Sequence, residues 1–110
     1  MKDAYRAAYV YVRETLAGVL RETDEGYSFA YDEKYLMAPG STNVSLTLPK
    51  QSAEYTSKTL FAFFDGLIPE GWLLSVVTHN WKLDPADRFG ILLVACHDPI
   101  GNVSIREVKQ

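Results

Sequence analysis

Cysteine, histidine and long apolar runs are all scarce in this chain, and each scarcity removes a class of protein. With Cys96 alone there is no internal disulfide, and its place in the apolar run Ile91 to Cys96 suits a small buried thiol, so a reducing, cytoplasmic setting is expected. No stretch approaches the roughly 18 apolar residues of a membrane helix. The opening MKDAYRAAYVYV is too polar for the core of a signal peptide, so neither a leader nor a membrane partner is expected. Basic charge is in deficit: 11 Lys and Arg lie scattered against 14 Asp and Glu, for a net charge of -3. Counterion release, which drives binding to polyphosphate, needs clustered Lys and Arg, so direct contact with nucleic acid is not expected.

Catalytic motifs are missing as well. The sequence has no G-x-x-x-x-G-K-S/T, no G-x-G-x-x-G, no H-E-x-x-H and no C-x-x-C, the usual frameworks for phosphates, dinucleotides and metals. His79 falls opposite Leu73 and Val77 on a helical projection and reads as solvated; a metal site would need more ligands around it. His97 fits the role of a cation near helix carbonyl ends. Being adjacent to Cys96, it would face another way on a helix, which is poor geometry for a Cys-His pair. Asp65 and Glu70 could be imagined as an acid-base pair, but nothing in the spacing holds both within reach of one substrate. Asp24, Glu25, Asp32 and Glu33 read as turn and edge residues. No catalytic residue, cofactor or metal is therefore expected, and the protein is not read as an enzyme.

What is present describes a small folded domain. A length of 110 residues fits one domain, 1–110, on a prior of about 100 to 200 residues per domain. That size supports a core but leaves little room for a deep cleft, which favours a binding module. Aromatics are on the rich side at 13%, with seven Tyr, and part of that aromatic surface is expected to serve a partner.

The segment Ala7 to Arg13 and its neighbour Leu16 to Arg21 read as a hairpin across Glu14-Thr15. Asp24-Glu25-Gly26 gives a second turn into Tyr27 to Tyr31, where Tyr27, Phe29 and Tyr31 share one face. Asp32 caps a helical turn to Met37. Val44 to Leu48 alternates like a strand, Pro49 closes it, and Pro49 to Lys58 reads as a polar surface crossing.

Helical spacing then takes over. Leu60, Phe63, Phe64 and Leu67 fall at i, i+3, i+4 and i+7, with Gly66 and Pro69 limiting the helix. A second helix is expected from Glu70 to Lys82 and a third from Asp84-Pro85, with Asp84 as cap and Phe89, Leu92, Leu93 and Cys96 inward. Asn102 to Val108 returns as a strand. The fold class expected is α+β: a small antiparallel sheet with about three helices packed on one face.

Leu60 to Trp72, LFAFFDGLIPEGW, is the most distinctive stretch. Trp72 either closes the core or projects from the Pro69-Glu70-Gly71-Trp72 corner. Trp81, nine residues on, lies about 180° away at roughly 100° per residue, so the two do not share one face. With Leu73, Val76 and Val77 already forming a core face, Trp81 is assigned to the core and Trp72 to the surface. Tryptophan is over-represented among residues that dominate interfaces, which makes Asp65, Pro69, Glu70, Gly71 and Trp72 the candidate partner-binding set.

Several segments occur together in a telling order: a Tyr/Val-rich first strand, LAGVLRETDEGYSFAYDEKYL, SLTLP (Ser45 to Pro49), FFDGLIPEGW (Phe63 to Trp72), LDPADRFGILLVA and DPIGNVSI. Over about residues 8 to 106 they resemble the N-terminal subdomain of HipA-family toxin kinases. In such kinases a long core carrying the ATP-binding and catalytic residues follows, and none of those residues is in this sequence. The chain therefore looks like the HipS family, the free-standing small proteins of three-component HipBST modules. The resemblance implies an antitoxin that binds a HipT-like kinase and suppresses its phosphorylation of an aminoacyl-tRNA synthetase, with a HipB-like DNA-binding protein as third member. The alternative is a regulatory N-terminal fragment of a bipartite HipA-like kinase.

Overall fold

Alternation along the first strand decides which side of the sheet is packed. In β1 (Ala7–Val12) Ala8, Val10 and Val12 are buried, whereas Tyr9 is exposed and Tyr11 half-buried. A two-residue turn at Arg13 and Glu14, with φ of 51° and 71°, returns the chain as β2 (Thr15–Thr23). Two left-handed residues match the twist of a hairpin. The turn thus sits one residue earlier than the expected Glu14-Thr15 connection, because no Gly, Asn or Asp marks it in the sequence. Opposite Val10 and Tyr11 the register shifts, leaving Ala17 as an extra residue on β2.

The computed structural model describes residues 5–68, 71, 75, 79, 84–96 and 102–108. Within them β3 (Gly26–Tyr31), β4 (Tyr55–Ser57) and β5 (Val103–Glu107) complete a five-stranded antiparallel sheet in the order β4-β3-β2-β1-β5. Three helices are described: α1 (Glu33–Met37), α2 (Ala62–Asp65) and α3 (Arg88–Ala95). All three meet the same side of β3. The Tyr35 ring of α1 stacks on Tyr31 at 6.1 Å, Phe64 of α2 lies 5.5 Å from Phe29, and Phe89 of α3 lies 6.0 Å from Tyr27. Phe29, Phe64 and Phe89 are fully buried, each contributing roughly 1.5–3 kcal/mol. The α+β class, the antiparallel sheet and the one-sided helices are as expected.

Four elements differ from expectation. Val44 to Leu48 is a tight turn rather than a strand: Ser45 bridges Leu48, Val44 and Leu48 are buried, and Leu46 between them is 95% exposed. Its organiser is a side chain, since the Tyr31 hydroxyl accepts from the Val44 N-H at 2.8 Å and donates to the Leu48 carbonyl. The polar crossing from Pro49 contains β4, whose three residues pair with Tyr27, Ser28 and Phe29 as a short edge strand.

The helix expected from Leu60 shrinks to α2. Phe61 offers no side-chain cap at its start, and Leu60, Phe64 and Ile68 are the buried positions while Phe63 and Leu67 are half-buried. The third helix begins a turn late. Asp84 closes a turn instead, accepting from Ala86 N at 2.9 Å, and Asp87 is the cap, accepting from Gly90 N at 3.0 Å. The helix expected from Glu70 to Lys82, the core place of Trp81, and His97 lie outside the described residues apart from Gly71, Ser75 and His79.

Tyr31→Phe keeps the ring and removes the hydroxyl that serves two buried backbone groups. Leaving them unpaired is expected to lower stability by about 1–3 kcal/mol in urea unfolding. An unchanged midpoint would mean that the turn holds itself.

Candidate partner-binding site

Three aromatic rings fix the segment that leads to the candidate corner. Phe64 packs under Phe29, and the Phe61 and Phe63 rings meet its edge at 6.2 and 5.2 Å. After α2 the chain tightens, Leu67 N donating to the Phe64 carbonyl at 3.0 Å and Ile68 N to that of Asp65 at 3.2 Å. Ile68 is buried, and the Leu67 carbonyl accepts from the Cys96 thiol at 3.5 Å. Residues 60–68 are thus held at Leu60, Phe64 and Ile68, one contact per turn.

Of the candidate residues the structure describes Asp65 and Gly71; Pro69, Glu70 and Trp72 lie outside the described residues. Asp65 accepts from Arg88 Nε at 2.7 Å, an ion pair that ties α2 to the first turn of α3. Its side chain remains 43% exposed, so one face of the carboxylate is open to a visitor. Beside the pair lies a hollow of about 370 Å³ lined by Tyr27, Lys58, Thr59, Leu60, Asp65 and Arg88. Gly71 has φ +65° and is exposed, with no atom of the described residues within 4 Å of where a Cβ would sit. That left-handed conformation favours glycine. The Gly71 carbonyl accepts from Ser75 N at 3.1 Å, a helical bond that starts at the corner.

A second cluster holds the frame on which the site is mounted. Arg6 forks to Glu22 and Asp87: its Nε and Nη2 donate to Glu22 at 2.9 and 2.8 Å, and Nη1 and Nη2 to Asp87 at 2.9 and 2.8 Å. Its guanidinium also lies 5.2 Å over the Phe89 ring. Hydrogen bonds from Arg6 hold both carboxyls below their ordinary range, against the opposing effect of burial. Gly90 permits this approach, since a Cβ there would stand 2.3 Å from Asp87 Oδ2 and 2.9 Å from Arg6 Nη1. Sequence reading missed Arg6 and Arg88 because their partners are distant along the chain, and a lone arginine carries no local signal of pairing.

The remaining chemistry is plain. Cys96 is buried, and burial pushes its thiol up to about 11, which leaves little thiolate for nucleophilic work. His79 is exposed. Asp32 accepts from the backbone N-H of Lys34 and Tyr35, and Asp24 from the Tyr5 hydroxyl. Among the described residues no three of His, Cys, Asp and Glu come together as metal ligands, and no helix is long and apolar enough to cross a membrane.

Comparisons with known proteins bear on the family and the fold. Residues 8–106 match the HipA N-terminal domain family. A Haemophilus influenzae protein described as uncharacterized is 34% identical over 110 residues, covering 100% of both chains. A solved structure, the N-terminal domain of HipA toxin, superposes with a TM-score of 0.73 at 29% identity, covering 100% of this chain and 99% of that one. The family match is to the N-terminal domain and does not include a kinase catalytic domain.

Proposed function

Because the chain belongs to the HipA N-terminal domain family, we propose that it is an antitoxin that binds and inhibits a HipT-like serine/threonine kinase, alongside a HipB-like DNA-binding protein. It acts by docking, not by chemistry, and presents the Glu70-Gly71-Trp72 corner to the kinase's active-site region. The observation that carries this reading is the exposed left-handed Gly71, three residues beyond the buried Ile68. A rigid stem followed by an open bend is the arrangement needed to hold an aromatic side chain out toward a partner. The open side of Asp65 would contribute at the rim of the same contact.

Trp72→Ala is the direct test. With an unchanged melting curve it is expected to weaken kinase binding by about 2 kcal/mol or more, roughly 30-fold, and to abolish growth rescue in cells expressing the kinase. Full rescue by a folded variant would sink the corner as inhibitor. A large fall in melting temperature would place Trp72 in the core.

A second reading draws on the solved structure, which is a domain of a toxin. On it, the chain is the regulatory N-terminal piece of a bipartite kinase. Sequencing the reading frame beyond Gln110 separates the two: an in-frame kinase core would favour the second.

A further inference from the structure

The side of the sheet turned away from the three helices carries a surface that the corner does not use. Tyr9 and Tyr11 project there from β1, Val19 and Arg21 from β2, Ala30 from β3 and Arg106 from β5. The register places them together: Tyr9 stands opposite both Val19 and Arg106, Val19 opposite Ala30, and Arg21 opposite Ala7. Tyr9 is 36% exposed, and both arginines are exposed.

Charge sets this face apart. The strand residues that point to it contribute Arg21 and Arg106 and no carboxylate, on a chain whose net charge is -3. Glu22 and Glu107 point to the other side and Asp24 sits in the turn after β2. Among the described residues the one carboxylate at the edge of the face is therefore Glu14, which shares a hollow with Tyr11, Ser104 and Arg106 and leaves Arg21 as the cation farther from it. Neither arginine is in an ion pair among the described residues, whose pairs are formed by Arg6 and Arg88. The rings are already arranged: Tyr9 meets Tyr11 edge-on at 6.3 Å, and the Arg106 guanidinium lies 5.7 Å over Tyr11. Side chains ordered before binding lose less entropy when they bind.

We infer that this face is a docking surface for a carboxylate-bearing patch on the partner kinase, separate from the corner; the partner's identity rests on the reading above. Tyrosine and arginine over a small apolar ground of Val19 and Ala30 is a composition enriched at protein interfaces. Nucleic acid would also meet tyrosine and arginine, but the overall negative charge of the chain opposes a polyanion. Five strands at about 4.8 Å spacing and some five residues each span at most roughly 350 Å², since Ala7, Ser28 and Ser104 on this side are buried. That is about half of the ~800 Å² that one partner gives to a standard interface, so the face acts with the corner and not in its place.

The test compares the wild type, an Arg21→Glu/Arg106→Glu double variant and Tyr9→Ala on immobilised kinase. Thermal melts confirm that each is folded. Charge reversal is expected to slow association about tenfold or more in about 50 mM salt, with the gap narrowing near 300 mM as screening shortens the reach of the charges. Tyr9→Ala is expected to speed dissociation. If the folded variants bind as the wild type does, this face is not the contact, although the kinase reading stands. If the wild type itself fails to bind kinase, both fall. A single-stranded oligonucleotide held more tightly than the kinase, and released by charge reversal, would overturn the inference in favour of nucleic acid.

Discussion

Phe29→Ala is expected to lower folding stability by about 3–5 kcal/mol, the range for emptying a large aromatic from a close-packed core. Phe29 is fully buried at the centre of β3, with Tyr31 at 5.1 Å on one side and Phe64 at 5.5 Å on the other. A domain of this length has roughly 5–15 kcal/mol in total, so the variant sits at the edge of unfolding. The damage also reaches the candidate corner, because Phe64 carries α2 and the turn that leads to Gly71. Urea unfolding gives the stability, and binding to the proposed kinase partner at low temperature reads the second effect. Phe29→Leu, which refills most of the space, should lose less of both. A Phe29→Ala loss under about 1 kcal/mol would contradict a shared aromatic core.

Arg6→Met tests the frame by a different route. Methionine keeps an apolar stem over Phe89 but leaves Glu22 and Asp87 facing each other without their cation. The three side chains are 32%, 20% and 33% exposed, so solvent moderates the effect; the expected loss at neutral pH is about 1–3 kcal/mol, below that for a fully buried pair. Its pH dependence has a definite sign. Both carboxyls are held low in the folded wild type, first by hydrogen bonds from Arg6. The stability they contribute is therefore present above the unfolded carboxylate value of about 4 and is lost as pH falls through the lower folded values. In the variant, protonation relieves two like charges. The difference between wild type and variant should thus be largest near pH 7 and shrink toward pH 3, as read from paired urea titrations. Arg6→Lys should recover part of the loss, since one ammonium cannot fork to both carboxylates. An equal difference at both pH values would assign the role of Arg6 to its stacking on Phe89.

Patterns of short period were legible from the sequence. Alternating Tyr and Val gave β1, the Tyr27-Phe29-Tyr31 alternation gave the helix-facing side of β3, and Asp32 gave the start of α1. Signals that depend on a partner elsewhere were not. Val44, Leu46 and Leu48 alternate like a strand, yet a tyrosine hydroxyl from β3 folds them into a turn. Asp84-Pro85 is a strong local start for a helix, but Arg6 and Gly90 together make Asp87 the better cap. Arg13-Glu14 adopts a left-handed turn without any residue that favours one, because the twist of the flanking strands imposes it. At the candidate site, the anchoring by Phe64 follows from spacing alone, while the Asp65-Arg88 pair needed the packing of α2 on α3.

The position of β5 beside β1 has a consequence during synthesis. Val12 pairs with Val103, so β1 waits for a strand made long after it. At 5–20 residues per second, the intervening chain takes on the order of 5 to 20 s to emerge. Throughout that interval β1 has β2 on one side and an open row of backbone donors and acceptors on the other, with Tyr9 and Tyr11 uncovered. A nascent chain in that state is a target for chaperones and for pairing with neighbouring copies on the same message. Translation speed between Val12 and Val103 therefore sets how long the hazard lasts, and slow codons in that span should lower the soluble yield more than the same codons placed after Glu107.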